Sequence, residues 1–137
     1  MSLFNVFDIA GSAMSAETVR LNVTASNLAN AQSVGSSEQS TYHARHPVFA
    51  AVMGSLRDND ASAGVTVSGI VESQAPLEQR YQPEHPMANE EGYVFLPNVN
   101  IVDEMANMIS ASRSYQGNVE VLNTSKQLML ATLKLGQ

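Results

Sequence analysis

The sequence contains no cysteine. Disulfide bonds, thiolate catalysis and cysteine-ligated zinc are therefore excluded, although an oxidising compartment remains compatible with a cysteine-free chain. Basic residues are also scarce, since 7 Lys and Arg stand against 13 Asp and Glu and give a net charge of -6. Because nucleic acids and anionic membranes bind clustered cations, this balance argues against both as partners.

Long apolar runs are absent as well. No stretch approaches the roughly 18 apolar residues that cross a membrane. Residues 1–7 carry no Lys or Arg, Asp8 is the first charged residue, and no apolar segment of signal length follows, so we predict no cleavable secretory signal. Taken alone, this predicts a cytoplasmic protein, and export by a route that does not read such a signal remains open.

The strongest pattern that is present lies in residues 100–135, where apolar side chains follow a 3.6-residue period and predict one long amphipathic helix. The stripe consists of Val102, Met105, Ile109, Val119, Leu122, Met129 and Leu133, with Ser112 and Tyr115 between them. Asn100 is placed to cap the amino end, and Lys134 and Gly136 favour termination at the other end. At about 1.5 Å per residue this helix would span roughly 50 Å.

The face opposite this stripe carries few charges, because residues 101–137 contain six charged side chains against twelve Ser, Thr, Asn and Gln. Small neutral polar residues suit a surface that another protein covers, since they lose little side-chain entropy and leave no charge to desolvate. The alternative is an ordinary solvated helix with a serine-rich face. This feature alone does not separate the two interpretations.

A second helical pattern occupies residues 3–31. Phe7, Met14, Leu21 and Leu28 are spaced by seven residues, which is the spacing of a coiled-coil seam. We therefore predict a mainly α fold in which the long N- and C-terminal helices pair as a coiled coil, parallel or antiparallel. Two helices cannot cover one another on all sides, so the remaining surface favours self-association or packing among related subunits.

The middle of the chain has a different character. Residues 32–41 and 57–64 are predicted to be loops, and residues 65–72 (VTVSGIVE) are the best candidate for a strand. The apolar run 48–53 fits a strand or a helical turn, whereas residues 74–97 hold four of the five prolines and allow a short edge strand at 93–96. We predict a helical unit of residues 1–31 and 98–137 and a small β-rich insert of residues 32–97.

The sequence offers only weak candidates for a metal site or a catalytic site. His43 and His46 form an H-x-x-H pair, but His46 precedes Pro47, which disfavours the helix that would align both rings. The segment 58–60 (DND) with the following glycine does not match a calcium loop, because the glycine falls one place late and Gly69 stands where the bidentate acid is needed. Glu90 and Glu91 are adjacent and would diverge on any regular element. We predict no catalytic site, no cofactor and no metal.

Residues 25–31 read ASNLANA and resemble the axial proteins of the bacterial flagellum, the rod and hook family, whose N-terminal helix ends in such a segment. Further segments are similar to the proximal rod proteins of that family, so that the resemblance spans effectively the whole chain. These segments are residues 81–86 (YQPEHP), 91–94 (EGYV), 97–100 (PNVN), 104–105 (EM), 110–116 (SASRSYQ) and 121–124 (VLNT). The family motif residues are Asn27, Asn30, Tyr81, Pro83, His85, Pro86, Gly92, Tyr93, Pro97 and Asn98.

The resemblance implies a structural subunit that polymerises into the helical, torque-transmitting shaft of the proximal rod. It implies export through the flagellar type III apparatus without signal cleavage and assembly in the periplasm around the export channel, with the paired helices inside and the insert outside. The implied partners are further copies, other rod subunits, and the adaptor at the rod base and export gate. No nucleic acid, small-molecule substrate or membrane insertion is expected.

Combined with the helical patterns, this resemblance nominates a set of residues for packing between subunits. They are Phe7, Met14, Leu21, Leu28, Met105, Ile109, Tyr115, Val119, Leu122 and Met129. The rival interpretation is a soluble adaptor or export chaperone whose helical groove holds a client helix. It predicts protected terminal helices in a folded monomer, whereas a rod subunit would have mobile ones. An enzyme would instead need converging ionisable groups, and the acids here are scattered through loops.

Overall fold

A computed structural model describes residues 3–53 and 63–135 of the chain. Its elements in order are helix α1 (Leu3–Asn30), a 3₁₀ turn (Glu38–Ser40), strands β1 (Arg45–Met53), β2 (Ala63–Glu72), β3 (Glu78–Tyr81) and β4 (Tyr93–Leu96), and helix α2 (Ile101–Leu135). The strands form two separate antiparallel pairs, β1 with β2 and β3 with β4. In the described part of the chain, no helix is both long enough and apolar enough to span a membrane.

Helix α1 packs against both of the other large elements, α2 and the β1–β2 hairpin. Arg20 Nη2 donates to Asn107 Oδ1 at 3.0 Å, which places the second half of α1 beside the first turns of α2. Toward the other end of α1, Ser12 Oγ accepts a hydrogen bond from Val65 N at 3.1 Å and fixes the far part of the hairpin. The hairpin therefore runs along α1.

The amino end of α2 begins as predicted. Asn100 Oδ1 accepts hydrogen bonds from Val102 N at 3.0 Å and, more weakly, from Asp103 N at 3.5 Å. These two donors belong to the first turn, where backbone N–H groups have no partner within the helix. Asp103 and Glu104 also place negative charge at the positive end of the helix dipole.

The prediction of a mainly α fold with a coiled coil is wrong. About 53% of the described residues are helical and 22% lie in strands, and the two helices do not form a clear coiled-coil pair. The physical reason is visible in what is buried along the helices: small side chains such as Ala10, Ala16 and Ala111 are covered, whereas Met105 and Ile109 are exposed. The large apolar side chains that would form a knobs-into-holes seam are therefore not the ones that the helices bury.

The hydrophobic core is small. Among residues 3–53 and 63–135, the buried apolar side chains are Ala10, Ala16, Val23, Ala44, Val94 and Ala111, and the largest side chains that are fully buried are Val94 and Asn27. Since the hydrophobic contribution to folding scales with the apolar area buried, such a core stabilises the single chain only weakly. Polar contacts between elements consequently matter more here than in an ordinary globular domain.

The remaining secondary-structure predictions have mixed outcomes. The strand predicted at 65–72 is confirmed as β2, the edge strand at 93–96 is β4, and the undecided run 48–53 forms the second half of β1. The segment 32–41 is a loop that contains the 3₁₀ turn, and Gly35 forms an isolated bridge with Phe95 of β4. Most of the predicted loop 57–64, including the DND segment, lies outside the described residues.

Candidate assembly surface

Asn27, the first asparagine of the ASNLANA segment, fastens the base of the hairpin to α1. It is only 1% exposed, and its Nδ2 donates to Arg45 O at 2.8 Å. Its Oδ1 accepts from Arg45 N at 2.9 Å and from the Tyr42 hydroxyl at 2.9 Å. The side-chain amide of Asn27 thus forms hydrogen bonds with both the N–H and the C=O of Arg45, the first residue of β1. Without these bonds, burying the two backbone groups beside a helix would be costly.

Asn98 plays the matching part on the other side of the hairpin base, just before α2. Its Oδ1 accepts from Ala44 N at 2.8 Å, and its Nδ2 donates to Ala75 O at 2.7 Å. Ala44 and Ser73 are themselves joined, because Ser73 N donates to Ala44 O at 2.7 Å. The two asparagines therefore clamp the start of β1 and the end of β2 between the end of α1 and the start of α2.

The motif residues between 81 and 93 shape the connection from β3 to β4. Gly92 has a φ of 82°, a conformation that L residues with a side chain rarely adopt. A Cβ atom added there would lie 2.9 Å from Tyr81 Cε2 and 3.2 Å from Pro83 Cβ. Tyr81 and Tyr93 contact each other edge to face, with ring centroids 5.2 Å apart, and His85 Nδ1 accepts from Met87 N at 3.1 Å.

Replacing Gly92 with alanine is expected to lower the free energy of unfolding by about 2 kcal/mol, because the new Cβ meets both a strained φ and two close neighbours. Gly69→Ala is the matched control, since a Cβ at Gly69 meets nothing within 4 Å. The control is expected to change stability by less than about 0.5 kcal/mol. Urea denaturation of the two purified variants measures both values, and equal losses would refute the proposed strain.

An apolar stripe on α2 faces away from the rest of the chain. Val102, Met105 and Ile109 are 73%, 51% and 53% exposed and recur at helical spacing on one face. A second exposed group follows near the carboxyl end of the helix at Val121, Leu128, Leu130 and Leu133. We call the first three residues the α2 stripe. A contiguous apolar surface of this kind indicates a protein-protein contact, since single chains rarely leave one uncovered.

Comparison with known proteins identifies the family to which the chain belongs. The family described as "Flagella basal body rod protein" matches residues 7–35, and "Flagellar basal body rod FlgEFG protein C-terminal" matches residues 90–135. The flagellar basal-body rod protein FlgC of Salmonella typhimurium is 53% identical over 137 residues and that of Buchnera aphidicola (Schizaphis graminum) 45% over 139, each covering 100% of both chains. FlgC of Borreliella burgdorferi is 33% identical over 151 residues, covering 100% of this chain and 99% of its own. The chain belongs to the FlgC family of flagellar basal-body rod proteins. The predicted resemblance to flagellar axial proteins is confirmed.

For a member of the FlgC family, the positions of the nominated packing residues are informative. Two of them, Met105 and Ile109, are exposed and belong to the α2 stripe. The others are half-buried: Phe7, Met14, Leu21, Leu28, Tyr115, Val119, Leu122 and Met129. Each of the ten keeps apolar surface that a neighbouring subunit could cover. Their role between subunits stays a prediction.

Some important residues of this FlgC-family chain were missed by sequence reasoning. The ASNLANA segment was recognised as a motif, but the role of Asn27 depends on where β1 begins, and no local pattern fixes that. Glu104 was assigned only to the first turn of α2, yet it is buried. The sequence signal that could have indicated its burial is its spacing from Ala111 and Ser125, at intervals of seven and fourteen residues, which places all three on one face of α2.

The weak candidates for chemistry do not converge in the structure. His43 Nε2 lies 3.3 Å from Glu38 O, and His46 is exposed on β1. Glu90 and Glu91 are exposed in the turn before β4. Among residues 3–53 and 63–135, no group of three or more His, Asp or Glu is arranged to hold a metal ion.

Proposed function

We propose that the chain is a structural subunit that polymerises with its own copies and with other rod proteins into the helical drive shaft of the flagellar basal body. The relatives are named rod proteins, and the α2 stripe offers an apolar surface through which subunits could bind one another. Its apolar side chains stay in solvent in the single chain and would be buried in a rod, which stabilises the assembled state. We further propose that its role is mechanical and involves no catalysis.

The finer features of this proposal concern arrangement and location. We propose that the helical unit of residues 1–31 and 98–137 forms the inner layer around an export channel, and that residues 32–97 face outward. The rod would lie in the periplasm, with the basal adaptor of the export gate among its neighbours, after export without a cleaved signal. The small core supports this, because a weakly stabilised single chain is easy to unfold for transport. Dense packing of many helices would then make the rod stiff enough to transmit torque.

Chemical labelling of an introduced cysteine tests the proposed burial of the α2 stripe. The chain has no native cysteine, so Val102→Cys creates a single reactive site. We expect a maleimide to label this thiol rapidly in the purified monomer and on the order of tenfold more slowly in isolated basal bodies, because neighbouring subunits exclude the reagent. Gln79→Cys, in the exposed strand β3, is the control that should react rapidly in both.

The rival interpretation makes the opposite prediction for the same variant. A soluble adaptor or chaperone would be absent from purified basal bodies, or would leave Cys labelling at position 102 unchanged there. Either result would overturn the proposal. Protection of Gln79→Cys to the same degree would overturn only the outward placement of the insert.

A further inference from the structure

A cleft of about 350 Å³ opens where α1, β1 and α2 meet. Its walls include Arg20 and Thr24 of α1, Phe49 of β1, and Glu104 and Asn107 of α2. Since about 15 Å³ of such space admits one water molecule, the cleft is ample for the end of a long side chain. It adjoins the first turns of α2, on which the α2 stripe also lies.

Glu104 is the unusual residue of this cleft. It is only 5% exposed, and its backbone N donates to Asn100 O at 3.0 Å. Its carboxylate forms no hydrogen bond or ion pair with any residue in the described part of the chain. Since Glu104 lines the cleft, its carboxylate is available to pair with a cationic group that enters there.

The nearby arginines are already engaged with other acids. Arg20 Nη1 lies 3.6 Å from Glu17 Oε2, and Arg20 Nη2 donates to Asn107. Arg45 Nη2 pairs with Glu72 Oε1 at 3.1 Å, and its guanidinium lies 5.4 Å from the centroid of the Tyr42 ring. Both arginines bordering the cleft therefore lie within ion-pair distance of another acid, and Glu104, the acid in the cleft wall, has no such partner in the described part of the chain.

The described residues also contain cations without an acidic partner, and all of them are exposed on α2: Arg113, Lys126 and Lys134. Arg113 follows Ile109 by four residues, so it lies one helical turn beyond the α2 stripe and on the same side. A subunit that covers the stripe therefore also meets Arg113. Within one chain, Arg113 cannot reach Glu104, because nine residues of helix separate them by about 13.5 Å along the axis.

We propose that the cleft beside Glu104 receives the guanidinium group of Arg113 from a second copy of the chain. This inference rests on the proposed polymerisation and names one specific contact in it. Each copy offers one cleft and one Arg113 at different places on its surface, so in the proposed rod the contact repeats head-to-tail from one copy to the next. A planar guanidinium matches a carboxylate with two parallel hydrogen bonds, which gives the contact a defined orientation.

Crosslinking in assembled rods tests this contact. Glu104 and Arg113 are both replaced with cysteine in one chain, and isolated basal bodies are treated with a short bis-maleimide, since the backbones of an ion pair lie farther apart than a disulfide permits. We expect a ladder of dimers, trimers and longer chains from the double variant. Each single-cysteine variant joins at most two copies, and Glu104→Cys with Lys134→Cys is the control that should give no ladder.

Rods of the double variant that yield no ladder, or an equal ladder from the Lys134 control, would overturn the inference while leaving the proposed polymerisation intact. If the cysteine at position 104 prevents rod formation, Glu104→Gln and Arg113→Gln are compared singly and together. We expect each single variant to lower the number of completed rods per cell by about tenfold and the double variant to lower it no further. A multiplied loss in the double variant would show that the two residues act independently.

Discussion

Replacing Ile109 with aspartate is expected to abolish rod completion and swimming while leaving the single chain folded. Ile109 is exposed in the monomer, so a carboxylate there stays in water until a neighbouring subunit covers it. Burying this carboxylate in an apolar contact costs several kcal/mol, which a pair with Arg113 one turn away would not offset, and the cost recurs at every subunit of the rod. Swimming on soft agar and counts of purified basal bodies measure the loss, and circular dichroism of the purified variant measures the fold.

Gln79→Asp is the control for Ile109→Asp. Gln79 lies in the exposed strand β3, which belongs to the part of the chain that we propose faces outward. This variant should swim normally. Leu122→Asp should also stop motility, although Leu122 is half-buried in the monomer and its variant can therefore lose stability too. Normal swimming in both Ile109→Asp and Leu122→Asp would contradict the assembly role of these residues.

Replacing Asn27 with alanine is expected to lower the free energy of unfolding by about 3 kcal/mol, because three hydrogen-bonding groups lose their partner at once. Two of them are the backbone N–H and C=O of Arg45, and the third is the hydroxyl group of Tyr42. With so small a core, a loss of this size is a large fraction of the total. Urea denaturation followed by circular dichroism provides the measurement.

Two further variants grade this effect. Asn30→Ala removes one local bond, from Asn30 Nδ2 to Ser26 O at 2.8 Å, and should cost about 1 kcal/mol or less. Tyr42→Phe removes the hydroxyl group that donates to Asn27 and should also cost about 1 kcal/mol. Because Tyr42 and Asn27 share a bond, their double variant should lose less than the sum of the single losses. Equal effects of Asn27→Ala and Asn30→Ala would argue against the clamp.

The sequence was sufficient to predict those elements that have a strong local pattern. Both helices were predicted within a residue of their observed bounds, and the alternating β-branched run in β2 was recognised as a strand. The partner strand β1 could not be decided, because a short apolar run has no periodicity that separates a strand from a helical turn. Its pairing with β2 joins residues that are far apart in the sequence, and a local sequence pattern carries no information about such a contact.

The packing of the helices was beyond the reach of the sequence for a different reason. Seven-residue spacing of Phe7, Met14, Leu21 and Leu28 is typical of a coiled coil, but it does not say whether the partner is another part of the chain or another molecule. In the structure these four side chains are half-buried, and smaller residues lie at the fully covered positions. A subunit of an assembly carries patterns for contacts that its isolated chain does not make.

The hydrogen bond between Arg20 and Asn107 joins residues that are 87 positions apart, and this separation constrains when the molecule can fold. Helix α1 is made first and α2 last, and the clamp at Asn98 also comes late. Whichever end leads, a chain that passes through a narrow channel cannot pair these two helices until most of it has emerged. The entropy cost of closing the loop of 87 residues must then be met before the contact between the helices can stabilise the fold. Under the proposed export, the two helices therefore stay unpaired until most of the chain has left the passage.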